Sequence, residues 1–123
     1  MHVTFDPKLP PADDISFDDF LAVDIRIGEI VSAEDFPQAR TPSLKLRLDF
    51  GPGVGIKTSS AQIKALYAPE NLLGRQVMAV VNFPARQIGP FMSQVLTLGF
   101  ADEAGRIVLV APDGKIPNGT RLT

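Results

Sequence analysis

The residues best suited to chemistry lie in the segment VVNFPARQIGPFMSQVLTLG at positions 80–99, between two apolar runs. Its middle part carries Asn82, Arg86 and Ser93 among prolines and a glycine, more polar groups than a simple turn between two strands needs. Proline restricts the backbone and glycine permits unusual backbone angles. The pattern predicts a rigid loop, called here the hook (residues 82–94), with residues 86–88 at its tip. A cation, amides and apolar groups together suit a binding surface, and a long structural hairpin is the alternative.

The side chains most used in catalysis are almost missing. The chain has no cysteine, and its one histidine, His2, stands beside the first methionine, where we expect an exposed residue without a role. This excludes a Ser-His-Asp triad, a Cys-His pair and metal sites built on cysteine or several histidines. The neighbouring carboxylates Asp13/Asp14 and Asp18/Asp19 would point apart on a helix and make a poor acid/base pair. We expect no enzyme activity, no metal and no cofactor.

A second group of polar residues lies in GIKTSSAQIKALY, positions 55–67. Lys57 follows a predicted strand, and Ser59 and Ser60 stand where a helix is predicted to begin. A helix N-terminus with a nearby lysine and hydroxyls can hold a phosphate or a carboxylate. Ordinary capping beside a solvated lysine explains the same residues.

The charge is unevenly distributed along the chain. The net charge is −2 over 123 residues, which disfavours a general nucleic-acid binder. Residues 1–24 contain six acids and one lysine, whereas the remaining residues contain eight acids and eleven bases. The acidic leader either aids solubility or masks a mildly basic body. Because no secretory signal or membrane-spanning run is visible, we expect a cytoplasmic protein without membrane insertion.

The hydrophobic pattern predicts an acidic, proline-rich arm over residues 1–15 and one domain over residues 16–123. Ser16 is predicted to cap a short helix that buries Phe17, Phe20 and Leu21. Strands are predicted in DIRIGEIV, with a bulge or a sharp bend at Gly28, and in SLKLRLDF, GIKTS, QVMAVVNF, SQVLTLGF and RIVLVAP. A further short helix is predicted within positions 59–72, where Pro69 prevents its extension. Many short strands with few helices predict an all-β fold, an OB-fold five-stranded barrel with short helices and an extra N-terminal arm and helix.

Four separated stretches resemble the tRNA-binding-domain family, in order and spacing, from about Phe17 to Thr123. They are FDDFLAVDIRIGEIVSAEDFPQAR, LRLDFGPGVGIKTSSAQI, the hook segment and IPNGT. This family includes tRNA-binding appendages of some aminoacyl-tRNA synthetases and small bacterial chaperones connected with protein export. The resemblance implies an OB-fold, a homodimer and binding of unfolded or precursor polypeptides, or of tRNA.

The resemblance also assigns the hook as the binding motif, with two departures. Where RNA-binding relatives tend to have two basic residues, this hook has Arg86 followed by Gln87, and its glycine is shifted to Gly89, before Pro90. Fewer cations neutralise fewer phosphates, so the polypeptide hypothesis is preferred. Its predicted contacts are Phe83, Arg86, Ile88, Phe91 and Met92. The tRNA hypothesis assigns phosphate, base or ribose contacts to Arg26, Lys45, Lys57, Ser60, Asn82, Arg86 and Ser93.

Overall fold

The computed structural model describes residues 4–123, so the expectation for His2 lies outside the described residues. One short helix, α1 (Phe17–Leu21), precedes the strands, and a single 3-10 turn (Pro69–Asn71) lies between β3 and β4. The strands are β1 (Ile25–Asp35), β2 (Leu44–Asp49), β3 (Ile56–Ala61), β4 (Gln76–Val80), β5 (Arg86–Ile88), β6 (Phe91–Ser93), β7 (Leu96–Thr97), β8 (Gly99–Ala101) and β9 (Ile107–Leu109).

The five strands of the main sheet are antiparallel and run in the order β3-β2-β1-β4-β7. The two outer strands of this sheet meet again on its far side. The hydroxyls of Ser59 and Thr97 are hydrogen-bonded at 2.8 Å, and the N–H groups of Gln94 and Val95 donate to the Thr58 carbonyl at 2.9 and 3.2 Å. The result is a nearly closed barrel, and the prediction of an all-β, OB-fold-like domain is confirmed.

The interior of the barrel follows the alternation read from the sequence. Leu44, Leu46 and Leu48 on β2 and Phe50 directly after it are buried, as predicted, and Val77, Ala79 and Val80 are buried on β4.

Strand β1 does contain a bulge, but it is not at Gly28. The register against β2 shifts between Ile30 and Ser32, so the irregularity lies at Val31. Gly28 is required for a different reason: a Cβ atom there would lie 2.7 Å from Cε1 of the buried Phe50 ring. The glycine therefore marks the close approach of an aromatic ring to the backbone.

The helix predicted over positions 59–72 is wrong. Ser59, Ser60 and Ala61 belong to β3, which pairs with β2 from Leu44↔Ala61 to Asp49↔Ile56, and neither serine caps a helix. Burial at residues 59, 61 and 63 alternates with a period of two, which is the period of a strand. The hairpin ladder formed through the 51–55 turn thus overrides the local helical spacing of Ala, Ile and Leu.

The N-terminal helix is capped as predicted but does not bury its apolar face. The Ser16 hydroxyl accepts a hydrogen bond from the Asp19 N–H, and the Asp19 carboxylate accepts one from the Ser16 N–H. Phe17 is 70% exposed, Leu21 is also exposed and Phe20 is only half-buried, so the predicted burial of this face is wrong. Residues 4–19 are all exposed. No helix within residues 4–123 has the length and apolar character needed to cross a membrane.

Candidate binding groove

The hook is a hairpin made of β5 and β6. Arg86 pairs with Ser93, Gln87 with Met92 and Ile88 with Phe91. Gly89 and Pro90 form the turn, and Gly89 has a positive φ of 57°. The tip is therefore Gly89–Pro90, and residues 86–88 form a strand instead of the predicted tip. Gly89 supplies the unusual backbone angle that the sequence predicted.

The root of the hook is fixed by Asn82. Its Oδ1 accepts a hydrogen bond from the Asp24 N–H at 2.9 Å, and its Nδ2 donates to the Ala22 carbonyl at 2.8 Å. Both polar atoms of the amide are thus used between the hook and the link from α1 to β1. This arrangement favours the loop-shaping role of Asn82 over direct contact with a base or ribose.

Three side chains join the hook to β3. The Thr58 hydroxyl donates to the Met92 carbonyl at 2.6 Å, and the Ser93 hydroxyl accepts from the Ser60 N–H at 3.0 Å. The Gln94 side-chain carbonyl accepts from the Thr58 N–H at 3.0 Å. Ser60 and Ser93 are therefore brought together by the fold, as members of one hydrogen-bonded junction.

Phe91 also holds the hook against the barrel. Its ring contacts the buried Phe36 ring edge to face, with centroids 5.4 Å apart. The Lys45 ammonium lies 5.6 Å from the Phe36 centroid and 5.8 Å from that of Phe91, and 3.4 Å from the Glu34 carboxylate. Phe91 and Lys45 are thus neighbours, but both already have intramolecular partners.

A groove of about 650 Å³ separates the hook from the loop that connects β1 and β2. Within the described chain, it is lined by residues 38–41, Ser43, Ser60, Gln62 and residues 86–89, none of which carries a carboxylate. The loop is closed by the Phe36 N–H, which donates to the Ser43 carbonyl at 3.1 Å. Two arginines, Arg40 and Arg86, line the groove together with residues that carry amide and hydroxyl groups.

One edge of β5 is open along this groove. β5 and β6 form a two-stranded sheet, so β5 has a strand partner on one side only within residues 4–123. Because the Met92 carbonyl points out of the hairpin to Thr58, the Gln87–Met92 pair is of the non-hydrogen-bonded kind. The N–H and C=O of Gln87 consequently point away from β6, along the edge formed by Arg86, Gln87 and Ile88, which all line the groove.

Several predicted contact residues lie outside the groove. Phe83 and Met92 do not line it, although Phe83 is 52% exposed and Met92 46% exposed. Lys57 is half-buried in β3, opposite the core residue Leu48. Of the predicted polypeptide contacts, Arg86 and Ile88 line the groove, and of the predicted tRNA contacts, Arg86 and Ser60 do.

Arg26 lies at the other end of β1 and is engaged in an ion pair. Its Nε and Nη2 donate to the two carboxylate oxygens of Asp24 at 2.9 and 3.1 Å. This hydrogen bonding lowers the pKa of Asp24 and raises that of Arg26, and the nearby Arg121 lowers the Asp24 pKa further. Arg26 therefore serves as a structural cation and does not line the groove.

Sequence reasoning missed one wall of the groove. Gln38, Arg40 and Gln62 were not predicted as site residues, although all three line it. A signal was present in FPQARTPS (36–43), a polar, proline-containing connection between two strands, because binding residues are often carried by such loops.

Comparison with known proteins identifies a family and several relatives. The family model described as "Putative tRNA binding domain" matches residues 25–121. The chain is 34% identical over 113 residues to the methionine--tRNA ligase of Porphyromonas gingivalis, and 37% identical over 115 residues to methionine--tRNA ligase 1 of Sorangium cellulosum. These matches span 92% and 94% of this chain but only 16% of each ligase. The chain thus spans about a sixth of the length of the curated relatives it matches.

Two solved structures are similar over their whole length. The chaperone CsaA of Bacillus anthracis is 48% identical with a TM-score of 0.84, over 90% of this chain and 100% of that one. The CsaA chaperone protein of Picrophilus torridus is 42% identical with a TM-score of 0.83, over 89% of this chain and 100% of that one.

Proposed function

Since the chain belongs to the tRNA-binding-domain family, we propose that it is a non-catalytic binding protein that holds unfolded or precursor polypeptides in its groove. The observation that carries this proposal is the open edge of β5. An extended polypeptide can add to an unpaired strand through main-chain hydrogen bonds, whereas RNA has no equivalent pattern of donors and acceptors. Here the outward N–H and C=O of Gln87 offer the first such pair.

The side chains around this edge suit a polypeptide of variable sequence. Ile88 offers a half-buried apolar surface, and Met92 is 46% exposed on the neighbouring strand and adaptable in shape. Gln38, Gln62 and Thr41 can bond peptide groups, and Arg86 can bond a carboxylate or carbonyl. Sequence identities of 48% and 42% to two chaperones, over the full length of each, support the same assignment. We extend it to a cytoplasmic role connected with protein export.

Binding of tRNA is the second candidate, and Arg40 favours it. The sequence suggested a single cation at the hook, but the groove pairs Arg86 with Arg40, and no carboxylate of the described chain lines it. Two arginines that line one channel suit a phosphate backbone. The similarity to methionine--tRNA ligases supports this alternative.

We further propose a homodimer that covers exposed apolar residues around α1. Four apolar residues of this region are exposed: Phe17, Leu21, Phe83 and Leu122. The chain segments that carry Phe83 and Leu122 are hydrogen-bonded to residues 22–25, directly after α1. Asn82 bonds Ala22 and Asp24, as described above, and the Leu122 N–H donates to the Ile25 carbonyl at 2.8 Å. Sedimentation analysis should give a dimer for the natural chain and a monomer for Phe17→Asp. A monomeric natural chain at micromolar concentration would contradict the proposal.

The two ligands are separated by Gln87→Pro, with Gln87→Ala as the matched control. Proline removes the outward N–H but tolerates an edge strand, while alanine removes only the side chain. We expect Gln87→Pro to weaken binding of a reduced, alkylated unfolded protein about fivefold to tenfold relative to Gln87→Ala, as the loss of about one hydrogen bond implies. The affinity for tRNA should be the same in Gln87→Pro and Gln87→Ala.

A salt titration of the same proteins decides between the candidates. Polypeptide binding should depend weakly on salt, and Arg86→Ala should lower it modestly. The alternative is that tRNA binds more tightly than the unfolded protein at physiological salt and that Gln87→Pro affects neither ligand. If, in addition, Arg86→Ala reduces the slope of log affinity for tRNA against log salt concentration by about one, tRNA is the ligand. Phe91 is unsuitable for this test because its ring packs on Phe36.

A further inference from the structure

We propose that the acidic N-terminal arm (residues 4–15), which is exposed and lies outside the hook groove in the structure, also folds into that groove and competes with its ligand. The inference rests on the proposed function, since it concerns the regulation of the same groove. It assigns a role to residues 4–15, which are exposed throughout and contribute nothing to the barrel interior.

The charges of the arm and the groove are complementary. The described arm carries Asp6, Asp13 and Asp14 against Lys8, while Arg40 and Arg86 line the groove without an acidic neighbour among its lining residues in the described chain. Carboxylate–guanidinium hydrogen bonds are among the stronger polar contacts available to proteins. Neither Arg40 nor Arg86 forms an ion pair within residues 4–123, where the ion pairs involve other cations.

The arm begins beside the hook. It leads into α1, whose C-terminal end is hydrogen-bonded to Asn82 at the hook root and to Arg121, the latter through the Leu21 carbonyl at 2.6 Å. Residues 6–9 form a turn in which the Leu9 N–H donates to the Asp6 carbonyl at 3.0 Å, and the residues from 10 to 15 span about 20 Å when extended. Arg86 is only four residues beyond Asn82, so the arm is long enough to place its acids at the groove.

The chemistry of the arm also resembles that of an extended polypeptide ligand. Pro10 and Pro11 favour an extended backbone over residues 10–15, where the structure has no turn. Phe5 is 77% exposed and Leu9 is exposed, so apolar side chains are offered together with the carboxylates. A short tether gives such a segment an effective concentration in the millimolar range, which makes even a weak contact competitive.

Occupation by the arm should affect the two classes of ligand differently. A polyanion is opposed both by competition and by charge repulsion, whereas a polypeptide is opposed by competition alone. The arm therefore raises the preference of the groove for polypeptides over nucleic acid, and that preference should weaken when the arm loses its charge.

The test uses the full chain with Asp6→Asn, Asp13→Asn and Asp14→Asn combined. The matched control combines Glu70→Gln, Glu103→Gln and Asp113→Asn, three exposed acids outside the groove that give the same change in net charge. A polyuridylate oligonucleotide is titrated at low salt. We expect the arm variant to bind about threefold to tenfold more tightly than the control variant, as displacement of a tethered competitor implies. Equal affinities of the two variants would overturn the inference.

A second readout does not depend on any ligand. The Nε–H signals of Arg40 and Arg86 in a nitrogen-15 spectrum should shift between the natural chain and the arm variant, and those of Arg75 and Arg106 should not. The difference should persist on dilution, as expected of a contact within one chain. Unchanged signals at both groove arginines, or a difference lost on dilution, overturn the inference. If no variant binds either the oligonucleotide or an unfolded protein, the proposed function fails while these signals still decide the role of the arm.

Discussion

Replacing Asn82 by alanine should destabilise the attachment of the N-terminal helix without lowering the affinity of the groove for its ligand. The substitution removes the hydrogen bonds to the Asp24 N–H and the Ala22 carbonyl, 2.9 and 2.8 Å long. Each such bond contributes about 0.5–1.5 kcal/mol net, and the site is exposed, so we expect a loss of about 1–2 kcal/mol in the free energy of unfolding. For a domain of this size the melting temperature should fall by about 3–8 °C.

The assay combines urea unfolding with amide hydrogen exchange. In Asn82→Ala the Asp24 N–H should exchange faster, while amides of β2 and β3 should keep their protection relative to global stability. Asn82→Asp is the informative control, because it keeps an acceptor for the Asp24 N–H but loses the donor to Ala22. We expect it to fall between the natural chain and the alanine variant in the exchange rate at Asp24.

Ligand binding provides the refutation. Because both polar atoms of the Asn82 amide are used within the fold, binding of tRNA should change less than twofold in Asn82→Ala. An unchanged free energy of unfolding combined with a tenfold loss of tRNA affinity would show that Asn82 contacts the ligand directly. The structural role assigned here would then be wrong.

Three further predictions concern the barrel. Gly28→Ala should cost about 1–3 kcal/mol of stability, because its Cβ would meet the Phe50 ring at 2.7 Å, and adding Phe50→Leu should recover part of that loss relative to Phe50→Leu alone, measured by urea unfolding. The lowered pKa of Asp24 contributes stability that is present above its unfolded pKa of about 3.8 and is lost as the pH falls through the lower folded value. Asp24→Asn should therefore flatten the stability profile in that acidic window, and an unaltered profile would contradict the ion-pair assignment. Ser59→Ala should remove the hydrogen bond to Thr97 that closes the barrel and cost about 1 kcal/mol, whereas a neutral result would mean that the closure depends on backbone contacts.

The barrel could be predicted from the sequence because most of its strands have a clear local pattern of apolar and polar residues. In β2 the leucines alternate strictly with charged residues, and the following turn at 51–55 fixes the hairpin with β3. The failure at positions 59–72 has a physical cause. Ser59 is a buried polar residue whose hydroxyl is satisfied by Thr97, 38 residues away, and no local pattern reveals that partner.

The candidate site was only partly predictable, for a similar reason. The hook was identified from its own residues, but the second wall comes from the loop around Arg40, and only the fold brings the two together. Phe91 was expected to offer surface to a ligand, yet its ring contacts Phe36, 55 positions earlier in the chain. Composition and spacing identify candidate side chains, but they do not tell which are already engaged by distant partners.

The way the hook joins β3 has an evolutionary consequence. Its connection relies on side-chain hydrogen bonds of Thr58, Ser93 and Gln94 and on backbone bonds at the Thr58 carbonyl alone, instead of a continuous backbone ladder. The residues of β5 and the turn can therefore be exchanged without changing the register of the main sheet. A descendant that acquired a new hook sequence would inherit an intact barrel, and its choice of ligand could diverge while the scaffold stayed constant. The same property makes the hook a natural unit for transplantation between relatives.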